Sequence, residues 1–420
     1  MLMPYKVRTI APAQRSIRKY YRKSVVIVFA ISFGLVSALG FKHIFVYAST
    51  SPWTQTDWGG GSSSGTVNNT VTTYSELSST DAVTSAGNLT LATNTGWYNS
   101  GWKYRRKLTL DNTTSNLGTT SETLTDFTIL VVLTSSNIDY SNTQDSGQDL
   151  RFTDSDGTTL LSYEIEKWDE AGTSYVWVKI PQIDINSNTD SIYMYYGNTG
   201  ASDAQNANNT WDNNYVSVWH LDETSGTNIS DSAGSNSGTK VGSSDPQPAT
   251  GQVDGAQDFS ADYISVADSE SLDLTSSMTI SGWVTADTLT TWGSILMKSS
   301  SGSWDNGYGI YYNSNLCAFV TNYNSYKACS SFNTTVSPRY VVATYDGSSL
   351  KLYLDASSPT SASVAIAIST NNASLQIGRG AGGPYDWDGK IDEVRISNTA
   401  RSHAHIAASY HSETNDFVTF

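Results

Sequence analysis

Charged residues are scarce in this sequence, since Asp, Glu, Lys and Arg make up only 15% of its 420 residues. The 24 basic residues are outnumbered by 39 acidic ones, and the formal net charge is −15. A surface of that sign repels phosphates, so we exclude nucleic-acid binding. The five histidines form no metal-binding pattern, and we find neither a nucleophile elbow between a strand and a helix nor a Gly-rich phosphate loop.

Long apolar runs are also rare, and the single clear one lies near the N-terminus. Seven basic residues within 1–23 precede the uncharged run 24–41, and small residues lead up to Ala48. This pattern predicts a signal peptide over residues 1–48. An uncleaved membrane anchor also fits, because 18 residues border on spanning length. Both alternatives place the rest of the chain outside the membrane, as an extracellular or cell-surface protein.

The remaining chain divides by composition. Residues 49–96 are rich in Gly, Ser, Thr and Asn, which predicts a linker or an extended arm. Short runs with the alternation of strands then fill residues 97–200 and 211–420, separated by a polar linker over 201–210. We therefore predict an all-β protein with two β-sandwich domains, the second a jelly roll, after an N-terminal signal or anchor helix.

Only two cysteines are present, Cys317 and Cys329. They stand nearly symmetrically about the polar tip NYNS, as partners across a hairpin would. In an exported chain this arrangement predicts a disulfide.

Two resemblances follow from the order of the motifs. The series WHLDE, DGAQDFS, DYISVAD, SMTISGWV, YDGSSLKLYLDA and GKIDEVRIS, within residues 211–420, resembles a laminin-G-like domain with a concanavalin A-type jelly roll. Residues 97–200, with WKYRRKLTL, SYVWVKIP and SIYMYYGN, resemble the prokaryotic extracellular domain of unknown function DUF2341. Together they imply an exported prokaryotic, non-catalytic binding or adhesion protein whose partners are glycans or cell-surface proteins. A structural spacer of the cell envelope is the alternative, and a glycoside hydrolase is a further one.

Asp392 is the most unusual acidic residue. It falls on the same side of a predicted strand as Val394 and Ile396, and a lone carboxylate facing a core is costly. The resemblance implies a structural calcium ion nearby, for which Asp392, Asp231 and Asp222 are candidate ligands. The alternative is that Asp392 accepts backbone hydrogen bonds or pairs with an arginine.

Glu164 and Glu166 form the pattern closest to a catalytic one. They are two residues apart on a predicted strand, so their side chains share one face about 7 Å apart. Paired carboxylates at such a distance can hydrolyse glycosides. They lie in the first domain, however, and we interpret them as a solvated face, so no catalytic residue is predicted.

Aromatic residues in two Gly- and Asp-rich segments are the candidate ligand contacts. Trp304 and Tyr308 lie in SGSWDNGYG, and Tyr385 and Trp387 lie in GGPYDWDGK. Loops on a rigid sandwich often carry binding sites, and flat rings suit sugars. The alternative is that these four rings cap the ends of the core.

Overall fold

The computed structural model describes residues 97–333 and 337–420, together with the backbone of 82–85 and 88–91. The predicted signal or anchor segment 1–48 lies outside the described residues, as does most of the predicted linker 49–96. Within that linker, β1 (Ala82–Ser85) and β2 (Asn88–Leu91) pair as an antiparallel hairpin. Residues 96–420 form a separate unit, to which everything below refers.

The first sandwich consists of one five-stranded and one three-stranded antiparallel sheet. Its strands are β3 (Tyr104–Leu110), β4 (Leu124–Leu133), β5 (Arg151–Thr153), β6 (Leu160–Leu161), β7 (Tyr163–Lys167), β8 (Ser174–Ile183) and β9 (Ser191–Tyr196). β9 lies between β3 and β5, and β8 lies between β4 and β7. Two short helices, α1 (Thr114–Leu117) and α2 (Ala207–Thr210), lie outside the sheets.

The second sandwich consists of an eight-stranded and a ten-stranded sheet. The eight-stranded sheet contains β10 (Tyr215–Trp219), β13 (Gln247–Thr250), β14 (Gly255–Ser260), β16 (Met278–Val284), β21 (Arg339–Tyr345), β22 (Ser349–Leu354), β23 (Thr360–Ser363) and β27 (Asp388–Ser397). The ten-stranded sheet contains β11 (Asn228–Ile229), β12 (Gly238–Val241), β15 (Tyr263–Val266), β17 (Ser294–Lys298), β18 (Tyr308–Tyr312), β19 (Leu316–Val320), β20 (Lys327–Ser330), β24 (Leu375–Ile377), β25 (Arg379–Gly380) and β26 (Tyr385–Asp386). The predicted all-β class with two sandwiches is confirmed.

The two sandwiches pack against each other through an apolar layer. In the three-stranded sheet, Val176 and Val178 point into the first core, whereas Trp177 points outward. Trp177 packs there with Val218 and Val253 of the second sandwich. The three-stranded sheet is therefore covered on both faces, and its strands β4 and β8 carry apolar residues on both sides.

The C-terminal residues return to the first sandwich. Helix α3 (His403–Glu413) packs against β4, and strand β28 (Val418–Thr419) pairs with β3. Phe417 is fully buried in the first core. The last residues of the chain therefore complete the first sandwich. The predicted second domain, residues 211–420, includes these residues although they pack in the first core.

A β-bulge interrupts β27. Trp283 pairs with Asp392 and Ser281 pairs with Arg395, so one extra residue is inserted on β27. Glu393 has a positive φ of 52° there. Ile391 and Val394 consequently both face the sandwich core. The prediction that Asp392 shares a face with Val394 is wrong, because the bulge shifts the alternation by one residue.

The predicted disulfide between Cys317 and Cys329 is confirmed. The two cysteines are direct partners in the pairing of β19 with β20. The bond closes the hairpin whose tip carries Tyr323.

Reduction of this disulfide is expected to lower the free energy of unfolding by about 3 kcal/mol, because the cross-link restricts the unfolded chain. Urea unfolding with and without reductant measures the change. The double variant Cys317→Ser/Cys329→Ser is the control, and its midpoint should not respond to reductant. Equal midpoints for the oxidised and reduced wild type would refute the prediction.

Candidate functional site

The outer side of the ten-stranded sheet carries a cluster of aromatic rings, which we call the aromatic face. Its members are Trp292, Trp304, Tyr311, Tyr323 and Tyr385. On β18, Ile310 points into the sandwich core, so its neighbour Tyr311 lies on the opposite side of the sheet. Three of the other rings come from loops that flank the strands, and Tyr385 comes from the short strand β26.

Trp304 occupies the centre of the aromatic face. Its ring centroid lies 5.2 to 5.6 Å from those of the other four members. Trp304 is only 3% exposed and donates a hydrogen bond from Nε1 to the Ala381 carbonyl, at 2.8 Å. Tyr311 is buried beside it, whereas Trp292, Tyr323 and Tyr385 are half-buried. The face thus has a packed aromatic base and three rings that reach solvent.

The two tryptophans adopt an unusual backbone conformation. Trp292 has a φ of 72° and Trp304 a φ of 43°. Bulky residues rarely adopt positive φ, and such conformations persist where the surroundings enforce them, often at functional sites. Trp292 is held by stacking on Tyr311, with ring centroids 5.7 Å apart and an interplanar angle of 21°.

Polar groups accompany the half-buried rings. The hydroxyls of Tyr323 and Tyr385 have no hydrogen-bond partner among the described residues. Lys327 Nζ lies 5.8 Å from the centroid of the Tyr323 ring. Asn322 organises the hairpin tip, because its Oδ1 accepts hydrogen bonds from the backbone amides of Asn324 and Ser325. The rings therefore offer flat apolar surface beside free hydroxyl groups.

Three of the four predicted ligand-contact rings are buried. Tyr308 is 1% exposed in the sandwich core and donates its hydroxyl hydrogen to the Leu272 carbonyl. Trp387 is also 1% exposed, and its Nε1 donates to the Thr285 carbonyl. Trp304 forms the base of the aromatic face. These contacts agree with the core-capping alternative for the three residues, because each ring is enclosed and each polar atom is satisfied within the fold. Of the four predicted residues, Tyr385 is the one whose ring reaches solvent.

Sequence reasoning missed Trp292 and Tyr323. Tyr323 lies within the polar tip of the cysteine hairpin, and Trp292 lies two residues before the start of β17. Pairing of the two cysteines could have pointed to Tyr323, because it fixes that tip at the edge of the sheet.

Asp231, one of the predicted calcium ligands, organises a loop. Its Oδ1 accepts hydrogen bonds from the amides of Val218, Ala233 and Gly234, and its Oδ2 accepts one from Asn236. Both carboxylate oxygens are therefore engaged by backbone donors. Asp231 does not fit the role of a calcium ligand in this arrangement.

Asp392 fits a cation better. Its Oδ2 accepts hydrogen bonds from the amides of Gln252 and Val253, at 2.7 and 3.0 Å. Its Oδ1 is buried and has no hydrogen-bond partner in the described ranges. Burial raises the pKa of Asp392 well above its usual range, and it also raises the pKa of half-buried Asp222. The backbone hydrogen bonds agree with the alternative interpretation of Asp392, and the unpartnered oxygen keeps calcium as a prediction.

Six charged side chains are enclosed between the two sandwiches, and we call them the buried charge cluster. They are Glu164, Glu166, His220, Glu393, Arg395 and Glu413. β7 supplies Glu164 and Glu166, His220 directly follows β10, and β27 supplies Glu393 and Arg395. The cluster joins side chains that are up to about 250 residues apart in the sequence.

His220 lies among three carboxylates. Its Nδ1 is 2.7 Å from Glu393 Oε1 and 3.5 Å from Glu166 Oε2, and its Nε2 is 3.6 Å from Glu164 Oε2. Burial opposes the charged imidazole, but the carboxylates of Glu393, Glu166 and Glu164 prevail and raise the pKa of His220. Burial and the Glu393 carboxylate raise the pKa of Glu166.

Arg395 connects the rest of the cluster. Its guanidinium pairs with Glu393 and Glu413. It also lies 4.6 Å from the centroid of the Trp177 ring and 5.0 Å from that of Trp211, so two indoles flank it.

The prediction that Glu164 and Glu166 form a solvated face is wrong. Their side chains are 11% and 0% exposed, because the second sandwich covers that side of β7. Glu164 Oε1 accepts a hydrogen bond from Ser232, and Glu166 Oε2 accepts one from Trp177 Nε1. In this arrangement a polysaccharide has no access to the pair.

Within the described residues, no helix has both the length and the apolarity needed to cross a membrane. The predicted anchor lies outside those residues.

The sheets and their connections define an all-β protein with a concanavalin A-like second sandwich. Residues 258–407 match the family described as Concanavalin A-like lectin/glucanases superfamily. Residues 146–236 match the family described as Domain of unknown function (DUF2341). The chain therefore carries a DUF2341 domain followed by a laminin-G-like, concanavalin A-like domain, as its sequence predicts.

Similar solved structures cover parts of the fold. Domain 4 of AbnA, a GH43 extracellular arabinanase from Geobacillus stearothermophilus solved with arabinotriose, has 19% identity and a TM-score of 0.38 over 46% of this chain and 96% of that one. The binding domain of Paraclostridial Mosquitocidal Protein 1 has 16% identity and a TM-score of 0.38 over 47% and 52% of the two chains. Trypanosoma rangeli sialidase with the inhibitor DANA has 13% identity and a TM-score of 0.37, and this chain spans 42% of its length. No curated protein matches this chain.

Proposed function

We propose that this chain is an exported, non-catalytic binding protein that recognises glycans through the aromatic face of its concanavalin A-like domain. The observation that carries this proposal is the set of three half-buried rings, Trp292, Tyr323 and Tyr385, on a packed aromatic base. The family description, which includes lectins, is consistent with it.

The chemistry of the aromatic face suits a sugar. Flat rings can stack on the C–H face of a pyranose, and the free hydroxyls of Tyr323 and Tyr385 can exchange hydrogen bonds with its hydroxyl groups. Trp304 and the disulfide hold the rings in place before binding, which reduces the conformational entropy lost in the complex.

Burial of the two glutamates on β7 supports binding over hydrolysis. A glycosidase needs a pair of carboxyl groups beside the scissile bond. Glu164 and Glu166 are enclosed under the second sandwich and engaged in hydrogen bonds. We therefore assign them a structural role.

Export belongs to the same proposal. The N-terminal segment 1–48 is its signal peptide or anchor. If the segment is not cleaved, it is the part of the protein that attaches to the membrane. A calcium ion that stabilises the second sandwich is a further part of the proposal, with Asp392 and Asp222 as its ligands, because Asp392 has a free buried oxygen.

A glycan array probed with the full chain tests the proposal. We expect selective binding by the wild type and at least a tenfold loss of affinity in Trp292→Ala and in Tyr323→Ala, since each removes a ring contact worth about 1.4 kcal/mol. Trp97→Ala is the matched control, because Trp97 is a half-buried tryptophan of the first sandwich and should not affect binding.

Two results would overturn the proposal. One is a wild-type chain that retains no glycan and instead self-associates, which favours the envelope-spacer alternative. The other is release of reducing sugar from a polysaccharide panel. A parallel array with EDTA, followed by return of Ca²⁺, tests the calcium part alone, because binding that is lost on chelation and restored by Ca²⁺ supports it and unchanged binding contradicts it.

A further inference from the structure

A second site lies inside the buried charge cluster, away from the aromatic face. Glu166, His220 and Glu393 each present one ligand atom, and these three atoms lie within 4.8 Å of one another. Ligands of a tetrahedral zinc ion, at bond lengths of about 2.0–2.2 Å, are separated by about 3.4 Å. Small side-chain movements would therefore bring the three atoms around one ion.

Glu393 Oε1 and His220 Nδ1 share a hydrogen bond of 2.7 Å, which a metal ion between them would replace. Arg395 holds Oε2 of Glu393, so Oε1 faces His220 Nδ1. Trp177 Nε1 donates to Oε2 of Glu166, while Oε1 of Glu166 is fully buried and has no partner among the residues that the structure describes. A buried carboxylate oxygen without a partner is costly, and a cation bound there would remove that cost.

The second ring nitrogen of His220, Nε2, lies near a carboxylate, as it does in many metal-bound histidines. Within the described part of the chain, Nε2 has no hydrogen-bond partner at the usual distance, and the carboxylate oxygen Glu164 Oε2 lies 3.6 Å away. If Nδ1 binds a metal, Nε2 carries the ring hydrogen and can donate a hydrogen bond to Glu164. Metal-bound histidines commonly have such a carboxylate behind them. Glu164 is itself fixed by hydrogen bonds from Trp211 Nε1 and Ser232 Oγ.

The charge balance also favours a cation. The cluster encloses four carboxylates, and Asp392 adds a fifth nearby, whereas Arg395 and His220 are the basic groups among them. The group thus holds three more carboxyl groups than basic side chains, and buried carboxylates without enough cationic partners are expensive in a medium of low dielectric constant. A divalent ion with neutral His220 reduces that excess.

We propose that a divalent transition-metal ion of the zinc class binds between Glu166, His220 and Glu393 and links the two sandwiches. Glu166 belongs to the first sandwich and the other two ligands to the second, so the ion would join them. One imidazole and two carboxylates suit zinc, manganese or ferrous iron better than calcium, which prefers oxygen ligands alone. The site goes beyond the proposed glycan binding and does not depend on it.

Metal analysis of the full chain, purified without a histidine tag, tests the proposal. We expect about one equivalent of zinc-class metal per chain. After removal of the metal with a chelator, Zn²⁺ at a hundredfold excess over its Kd should raise the melting temperature by at least about 3 °C. Co²⁺ should give the visible absorption of a low-symmetry site.

Variants locate the ion. His220→Gln and Glu166→Gln should each abolish the Co²⁺ absorption and the zinc-dependent rise in melting temperature. His411→Gln is the control, because His411 is paired with Asp416 outside the cluster and should leave both signals unchanged. Loss of the signals in His411→Gln as well would place the ion elsewhere.

The wild type alone decides the question if the variants fail to fold. A chain that is purified without metal and whose melting temperature does not respond to Zn²⁺, Mn²⁺ or Co²⁺ overturns the proposal. A response to Ca²⁺ alone also overturns it, since calcium belongs to the separate prediction at Asp392. In that case a protonated His220, paired with the surrounding carboxylates, describes the cluster.

Discussion

Replacing Arg395 with leucine is expected to lower the free energy of unfolding by about 3–5 kcal/mol. The substitution leaves the carboxylates of Glu393 and Glu413 without their shared partner, in a site where all three side chains are at least 96% buried. Removing one member of a buried ion pair costs this much because the remaining charge cannot be solvated. Chemical unfolding monitored by circular dichroism gives the difference directly.

Arg339→Leu is the matched control for this substitution. Arg339 pairs with Asp355, but the two side chains are 33% and 30% exposed, so solvent screens the pair. We expect a loss of no more than about 1 kcal/mol. Similar losses in Arg395→Leu and Arg339→Leu would contradict the view that the cluster holds the sandwiches together.

Replacing Phe417 with alanine is expected to destabilise the first sandwich by about 3–5 kcal/mol, as large-to-small changes of buried aromatic residues do. Phe417 is 0% exposed, and its ring centroid lies 6.0 Å from that of Phe127. Hydrogen exchange is the most informative measurement, because amides of β3 and β4 should lose protection although they lie about 300 residues away in the sequence.

Phe420→Ala provides the comparison, since Phe420 is 40% exposed and three residues further along. Its effect should stay within about 0.5 kcal/mol. If Phe417→Ala is no more harmful than Phe420→Ala, the C-terminal residues are not part of the first core.

The sequence was sufficient to predict the strands, the two sandwiches and the disulfide. Alternation of apolar and polar residues carries the strand signal, and the symmetry around NYNS carries the disulfide signal. These features are local, or repeat along the chain, so a single sequence contains them.

Features that depend on packing between distant segments were not predictable. Alternation places Glu164 and Glu166 on one face of β7, but it cannot tell whether solvent or a second sandwich covers that face. The bulge at Glu393 reverses the expected direction of Asp392, and no residue type announces it. For the same reason His220 looks isolated in the sequence, although the fold places it among three carboxylates.

The ring residues illustrate the same limit. Trp304 and Trp387 stand among Gly, Asn and Asp, a composition typical of exposed loops, yet both rings are enclosed. Trp292 has no such surroundings and reaches solvent. Exposure of an aromatic residue is decided by which neighbouring loops fold over it, and this information is not local.

Hydrogen exchange of the full chain, with and without a glycan selected by the array, is the most direct measurement of where this protein binds. The account predicts slower exchange on binding in the segments around Trp292, Tyr323 and Tyr385, and unchanged exchange in the first sandwich. Protection confined to the first sandwich, with none at these three residues, would contradict it.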